Sequence, residues 1–214
     1  MKRSILIIGC IIIVGLSASA QDIGSVLLPM PESVVHGLEA SQKDLLIADV
    51  NDTTQVTVDK NTYGRVKRLA SSSDFISLQT SDAGITQIKL LPLINDSKII
   101  CVVKTVCGPS DVCDSQIQFY TTKWMPISQA DLFPTKDKEW FIKEDVDRNS
   151  QDFKNAYAAL DMTPMHFMLS AADTSLTVEY GIKKYLSEED YKKMQPYLQE
   201  ESKVFEWDKI SYKQ

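Results

Sequence analysis

The chain has 214 residues and a formal charge of −6, and 43% of its residues are hydrophobic. Such an acidic balance excludes the cation excess with which a domain grips nucleic acid or an anionic lipid surface. The length is enough for one large domain with its own core, without metal ions or many disulfides as support.

In chain order, the first feature is a leader. Lys2 and Arg3 precede an apolar run, Ser4 to Leu16, and Ala18-Ser19-Ala20 supplies the small-residue pattern that signal peptidase cuts after. Residues 1–20 are therefore read as a signal peptide. As a membrane anchor the run is short of the ~20 residues a bilayer core requires, and polar Gln21-Asp22 follows at once, so no stable membrane span is expected. Ile7-Ile8-Gly9-Cys10 resembles a lipobox, but it leaves only Ser4 to Gly9 as apolar core, which argues against a lipoprotein acylated at Cys10. Removing 20 of the 214 residues leaves 194, and losing Lys2 and Arg3 takes the formal charge from −6 to −8. The exported part, 21–214, is expected to be one α+β domain that can divide into two lobes, 21–134 and 135–214.

His36 precedes Gly37, which suggests a helix end there. Ser41, with Asp44 three residues on, is expected to cap a helix through Val50. From Gln55 to Lys123 short alternating segments are separated by turn residues: Val56 and Val58, then Ile76 and Leu78, Ile85 to Leu91, Ile99 to Val106, and Ile117 with Phe119. Connections this short predict an antiparallel meander. Downstream, Asn149 or Ser150 can cap a helix with Phe153, Ala156, Tyr157 and Leu160 as its apolar stripe, and Ser187 followed by three acids starts another that Pro196 disturbs. Met165 to Ser170 and Leu176 to Tyr180 read as a hairpin, and Val204 to Trp207 as a final strand. The fold class is α+β, a mainly antiparallel sheet with about three flanking helices.

Three cysteines follow residue 20. Cys107 and Cys113 bracket Gly108-Pro109-Ser110-Asp111-Val112, a chain reversal, so these two are expected to pair in an oxidising compartment. Cys101 lies in the apolar run Ile99 to Val103 and reads as a small buried hydrophobe. The spacing of the three matches no zinc pattern, no phosphate-cradling Gly-rich loop or G-x-S-x-G elbow occurs, and only two histidines exist, His36 and His166, in unrelated segments. Asp145-Val146-Asp147-Arg148-Asn149 has the first three acids or amides of a calcium loop, but Ser150 replaces its turn glycine and Ala156 its bidentate Glu. No catalytic residue, metal ligand or cofactor is assigned. Asn51-Asp52-Thr53 and Asn95-Asp96-Ser97 are glycosylation sequons that read as turns. Trp124, Trp140 and Trp207 are the candidate contacts for a glycan or partner, against the alternative that they fill the core.

Ile88-Lys89-Leu90-Leu91-Pro92, Phe119-Tyr120-Thr121-Thr122-Lys123-Trp124, Leu176-Thr177-Val178-Glu179-Tyr180 and Leu186-Ser187-Glu188-Glu189-Asp190 with Pro196-Tyr197-Leu198 resemble segments of an uncharacterised domain-of-unknown-function family of exported Bacteroidales proteins. The resemblance runs from about Ile23 to Tyr212 and implies a Gram-negative envelope or periplasmic location, without a catalytic motif. The expected function is a non-enzymatic exported domain that binds a protein, peptide or glycan, with no nucleic acid as partner. The alternative is a carboxylate-dependent, glycosidase-like hydrolase, for which facing Asp or Glu side chains with raised pKa values are the signature.

Overall fold

The computed structural model describes residues 22–48, 56–60 and 64–214. Val50, Asn51 and Gln55 lie outside them, as does the leader. Seven strands follow in order: β1 (Thr57–Asp59), β2 (Arg65–Ser71), β3 (Phe75–Gln79), β4 (Gly84–Pro92), β5 (Lys98–Cys107), β6 (Cys113–Thr121) and β7 (Pro126–Ile127). Each pairs antiparallel with the next, so spatial order equals chain order, as short connections require. Four more strands, β8 (Met165–Leu169), β9 (Leu176–Tyr180), β10 (Lys203–Trp207) and β11 (Tyr212–Lys213), form a second antiparallel sheet in the order β11-β10-β9-β8.

Alternation along the long strands builds two apolar layers. Ile88, Leu90, Ile100 and Val102 face an N-terminal segment made of α1 (Ile23–Leu27), α2 (Ala40–Ile47) and the turns between them. Leu91, Cys101, Val103, Ile117 and Phe119 face the opposite way and meet Met165, Phe167, Leu169, Leu176, Val178 and Phe205 of the second sheet. The second layer draws on residues from both sides of position 134. At its margin β8 presents its free edge to the large sheet, where side chains satisfy it: Met165 N–H donates to Asp114 Oδ1 (3.1 Å), Phe167 N–H to Ser115 Oγ (3.0 Å) and Leu169 N–H to Gln87 Oε1 (3.1 Å). Those bonds remove an open strand edge. A smaller third cluster joins α3 (Gln151–Ala158), α4 (Ile182–Tyr185) and α5 (Glu188–Met194) through Phe153, Ala156, Ile182 and Met194.

Several expectations are met and others corrected. Ser150 caps α3 through Phe153 N–H and Ser187 caps α5 through Asp190 N–H, while Pro196 sits in a 3-10 turn that ends the second helix. The cap of α2, by contrast, is Glu39 rather than Ser41: Gln42, three residues on, accepts from the Glu39 N–H with its side-chain oxygen (2.7 Å). No helix ends at His36; the segment is a series of turns, and Gly37 takes φ +77°, a left-handed position a side chain would disfavour. The strand β2 has no counterpart among the sequence expectations, and β11 follows β10, so Val204 to Trp207 is not the last strand. Asn95-Asp96-Ser97 is a turn, as expected, with Asp96 at φ 60° and the Ser97 hydroxyl on Asn95 Oδ1 (2.6 Å).

Candidate functional site

The three tryptophans part company. Trp124 is 8% exposed and lies in the N-terminal layer, at φ 61°, with its indole N–H donated to the carbonyl of Val26 in α1 (2.8 Å). Trp207 is 7% exposed and donates to the Pro92 carbonyl (2.7 Å) while packing on Phe119 and Tyr212. Both are core side chains whose polar edge is satisfied internally. Trp140 differs. It is half-buried, in a 3-10 turn over Lys138–Phe141, and its ring stands edge-on to Phe133 (5.9 Å between centroids) and tilted on Phe205 (5.3 Å).

Trp140 lines an open cleft of about 440 Å³ with Leu132, Phe133, Pro134 and Phe205 as apolar walls and Asp131, Ser211 and Lys213 among its polar groups. The Tyr212 N–H donates to the Leu132 carbonyl (2.8 Å), so the loop before Trp140 and the last strand are held together across the cleft. The walls come from two chain segments far apart in sequence. Nothing local marks Phe133, Phe205 or Lys213 as neighbours of Trp140, although Phe205 and Trp207 share one face of β10 by simple alternation.

Elsewhere several titratable groups are tied to structure. The Sγ atoms of Cys107 and Cys113 lie at disulfide distance, 2.01 Å, across a hairpin whose Ser110 and Asp111 both have positive φ. Burial pushes the Cys101 thiol far up, with the Tyr212 hydroxyl acting against it, which disfavours the thiolate form. His36 is exposed beside Glu32 (3.6 Å). His166 stands on the outer face of β8, opposite Glu179 of β9 (3.9 Å); burial lowers its pKa against the pull of Glu179. Among the described residues, the carboxylates whose ionisation is displaced all move down. Burial opposes ionisation of Glu139, but its hydrogen bonds from Tyr157 and Arg148 prevail, and the Tyr191 hydroxyl does the same for Glu200. Asp173 is held at about 2 by Ser175 and Ser170, and Asp208 at about 2 by Lys213 and two backbone N–H groups. Those directions are the reverse of what a general acid needs. Glu188 and Glu189 lie in the first turn of α5, where they complement the helix dipole.

In the Asp145–Asn149 stretch, Asp147 uses its side chain to accept the Asn149 N–H (2.9 Å), a turn bond ahead of α3. Among the described residues no group of three or more His, Cys, Asp or Glu side chains is placed to hold a metal ion, and no helix is long and apolar enough to cross a membrane.

A family model described as "Protein of unknown function (DUF3256)" matches residues 15–212. Among solved structures, a domain of an uncharacterized protein from Porphyromonas gingivalis W83 is 29% identical and superposes with a TM-score of 0.79, covering 88% of this chain and 96% of that one. No curated protein matches the chain.

Proposed function

Because the chain belongs to the DUF3256 family of proteins of unknown function, we propose that it is a non-enzymatic domain of the cell envelope that holds a glycan or peptide chain against Trp140. The observation that carries this reading is the Trp140 cleft itself. A half-buried indole backed by Phe133 and Phe205 offers a flat apolar face, and the polar groups at the margin supply hydrogen bonds that orient a ligand. Export to the envelope is supported by the Lys2-Arg3 start, the apolar run and Ala18-Ser19-Ala20, and a relative from a Gram-negative organism is in keeping with it.

Tryptophan emission tests the site directly. Trp124 and Trp207 are shielded and their indole N–H groups are already bonded, so a ligand in the cleft changes the emission of Trp140. Titration with a panel of envelope glycans and peptides is expected to find a ligand that shifts the emission, and Trp140→Ala is expected to abolish both the shift and the binding. A ligand that binds the Trp140→Ala variant as well as the original protein overturns the assignment of the cleft. Turnover of any panel member by the purified protein overturns the non-enzymatic reading.

A further inference from the structure

A second cleft, of opposite character, opens at the β1–β3 end of the large sheet. Thr57, Lys67 and Gln79 are direct cross-strand neighbours, and they face away from the apolar layer that takes Val58, Val66 and Leu78. Arg65 lies two residues before Lys67 and so shares that face. Lys60, Thr80 and Ser81 complete the surround of a cleft of about 540 Å³.

The cations in it are placed, and one has no partner among the described residues. Lys60 Nζ is fixed on the Thr80 carbonyl (3.0 Å). Arg65 reaches Asp59 only at 3.9 Å, with both side chains largely exposed. Lys67 is half-buried and has no hydrogen-bond or ion-pair partner among the described residues. Against these three, the described residues place Asp82 in the lining and Asp59 directly across from Arg65, which leaves one cation in excess. Like charges on adjoining positions of one sheet face repel, and this excess of cations stands in a chain of net charge −6. An anionic group seated between Arg65 and Lys67 relieves the repulsion and gives Lys67 its partner. The acidity of the rest of the surface disfavours long polyanions, which selects a short ligand. Around the cations the lining is uncharged and polar, with the hydroxyls of Thr57, Thr80 and Ser81 and the Gln79 amide able both to donate and to accept. Ring hydroxyls need that pairing.

We infer that this cleft binds a short acidic saccharide, its carboxylate between Arg65 and Lys67 and its hydroxyls on Gln79, Thr80 and Ser81. The site is separate from the Trp140 cleft and, among the described residues, shares no lining residue with it.

Calorimetric titration with a galacturonic acid trisaccharide tests the inference, with the neutral galactose trisaccharide and a glutamate tripeptide as comparison arms. The acidic sugar is expected to bind, the neutral sugar and the acidic peptide at least about tenfold more weakly, and raising NaCl from about 50 mM to about 300 mM is expected to weaken the interaction. Lys67→Gln and Arg65→Gln are each expected to cost at least about tenfold in affinity, with thermal unfolding confirming that both variants are folded. Trp140→Ala is expected to leave this binding unchanged, so the two clefts succeed or fail independently. Absence of binding at low salt, equal binding of the neutral sugar or of the peptide, or full affinity in both charge variants overturns the inference.

Discussion

Burial separates the cysteines after residue 20 into two chemistries. Cys101 is fully buried between β4 and β6, with its thiol pushed up by desolvation, whereas Cys107 and Cys113 face each other at the half-buried end of the β5–β6 hairpin. Alkylation of the folded, unreduced protein is expected to leave Cys101 unmodified, and peptide mapping to recover residues 107 and 113 as one cross-linked peptide; Cys101 found in the bridge contradicts this. The bond closes a small loop, so Cys107→Ser with Cys113→Ser is expected to lower stability by no more than about 2 to 3 kcal/mol in denaturant titration. This pairing was legible because a turn composition and two flanking cysteines are local signals. The roles of the tryptophans were not, since the partner of Trp124 is Val26, and a sequence does not print which distant carbonyl an indole will meet.

At the scale of elements, β2 shows why alternation can mislead. Its inward positions are Val66 and Arg68, so a cation stands where alternation calls for an apolar residue, and at the bulge between Arg68 and Ala70 the apolar Leu69 is left exposed. Arg68 is 2% exposed because its guanidinium donates to the carbonyls of Leu46 (3.0 Å) and Ala48 (2.7 Å), the open end of α2. A cation there also suits the negative end of the helix. Arg68→Met keeps the apolar stem but leaves those carbonyls without their donor, and a loss of about 2 to 3 kcal/mol is expected by denaturant unfolding, with proteolysis first near α2. A change below about 0.5 kcal/mol shows that the carbonyls find other donors. By contrast, the starts of α3 and α5 were legible: Ser150, one of the two caps the spacing offered, and Ser187 each bond an N–H three residues on, while Leu160 and Leu198 fall beyond the helix ends. Ser187→Ala is expected to cost about 1 kcal/mol.

For the whole molecule, a meander leaves a clear record in sequence because each strand pairs with the next, and the α+β class follows from that pattern. The Trp140 cleft does not, because its walls, residues 130–140 and 205–214, meet only after the chain has folded, and the β1–β3 cleft was missed because β2 itself was missed. Acid stability reads out the assembled molecule in the same way. The His166 imidazole is held below its ordinary pKa chiefly by burial, with Lys184 adding to the effect and Glu179 opposing it. The unfolded chain therefore binds a proton at this site more readily than the folded one, and stability rises with pH across the window between the two pKa values. Lowering the pH through about 6.5 is expected to bring a first, shallow loss of stability as the unfolded histidine protonates. The carboxylates have the same sign at lower pH. Glu139, Asp173, Glu200 and Asp208 are depressed in the folded state, so their contribution is present above the ordinary carboxylate pKa and is lost as pH falls below about 4, down to about 2 for Asp173 and Asp208. Denaturant unfolding measured from pH 8 to pH 3 is expected to show two descending steps, and His166→Gln is expected to remove the upper one and leave the lower. An upper step that persists in that variant assigns it to another group and refutes the role given to His166.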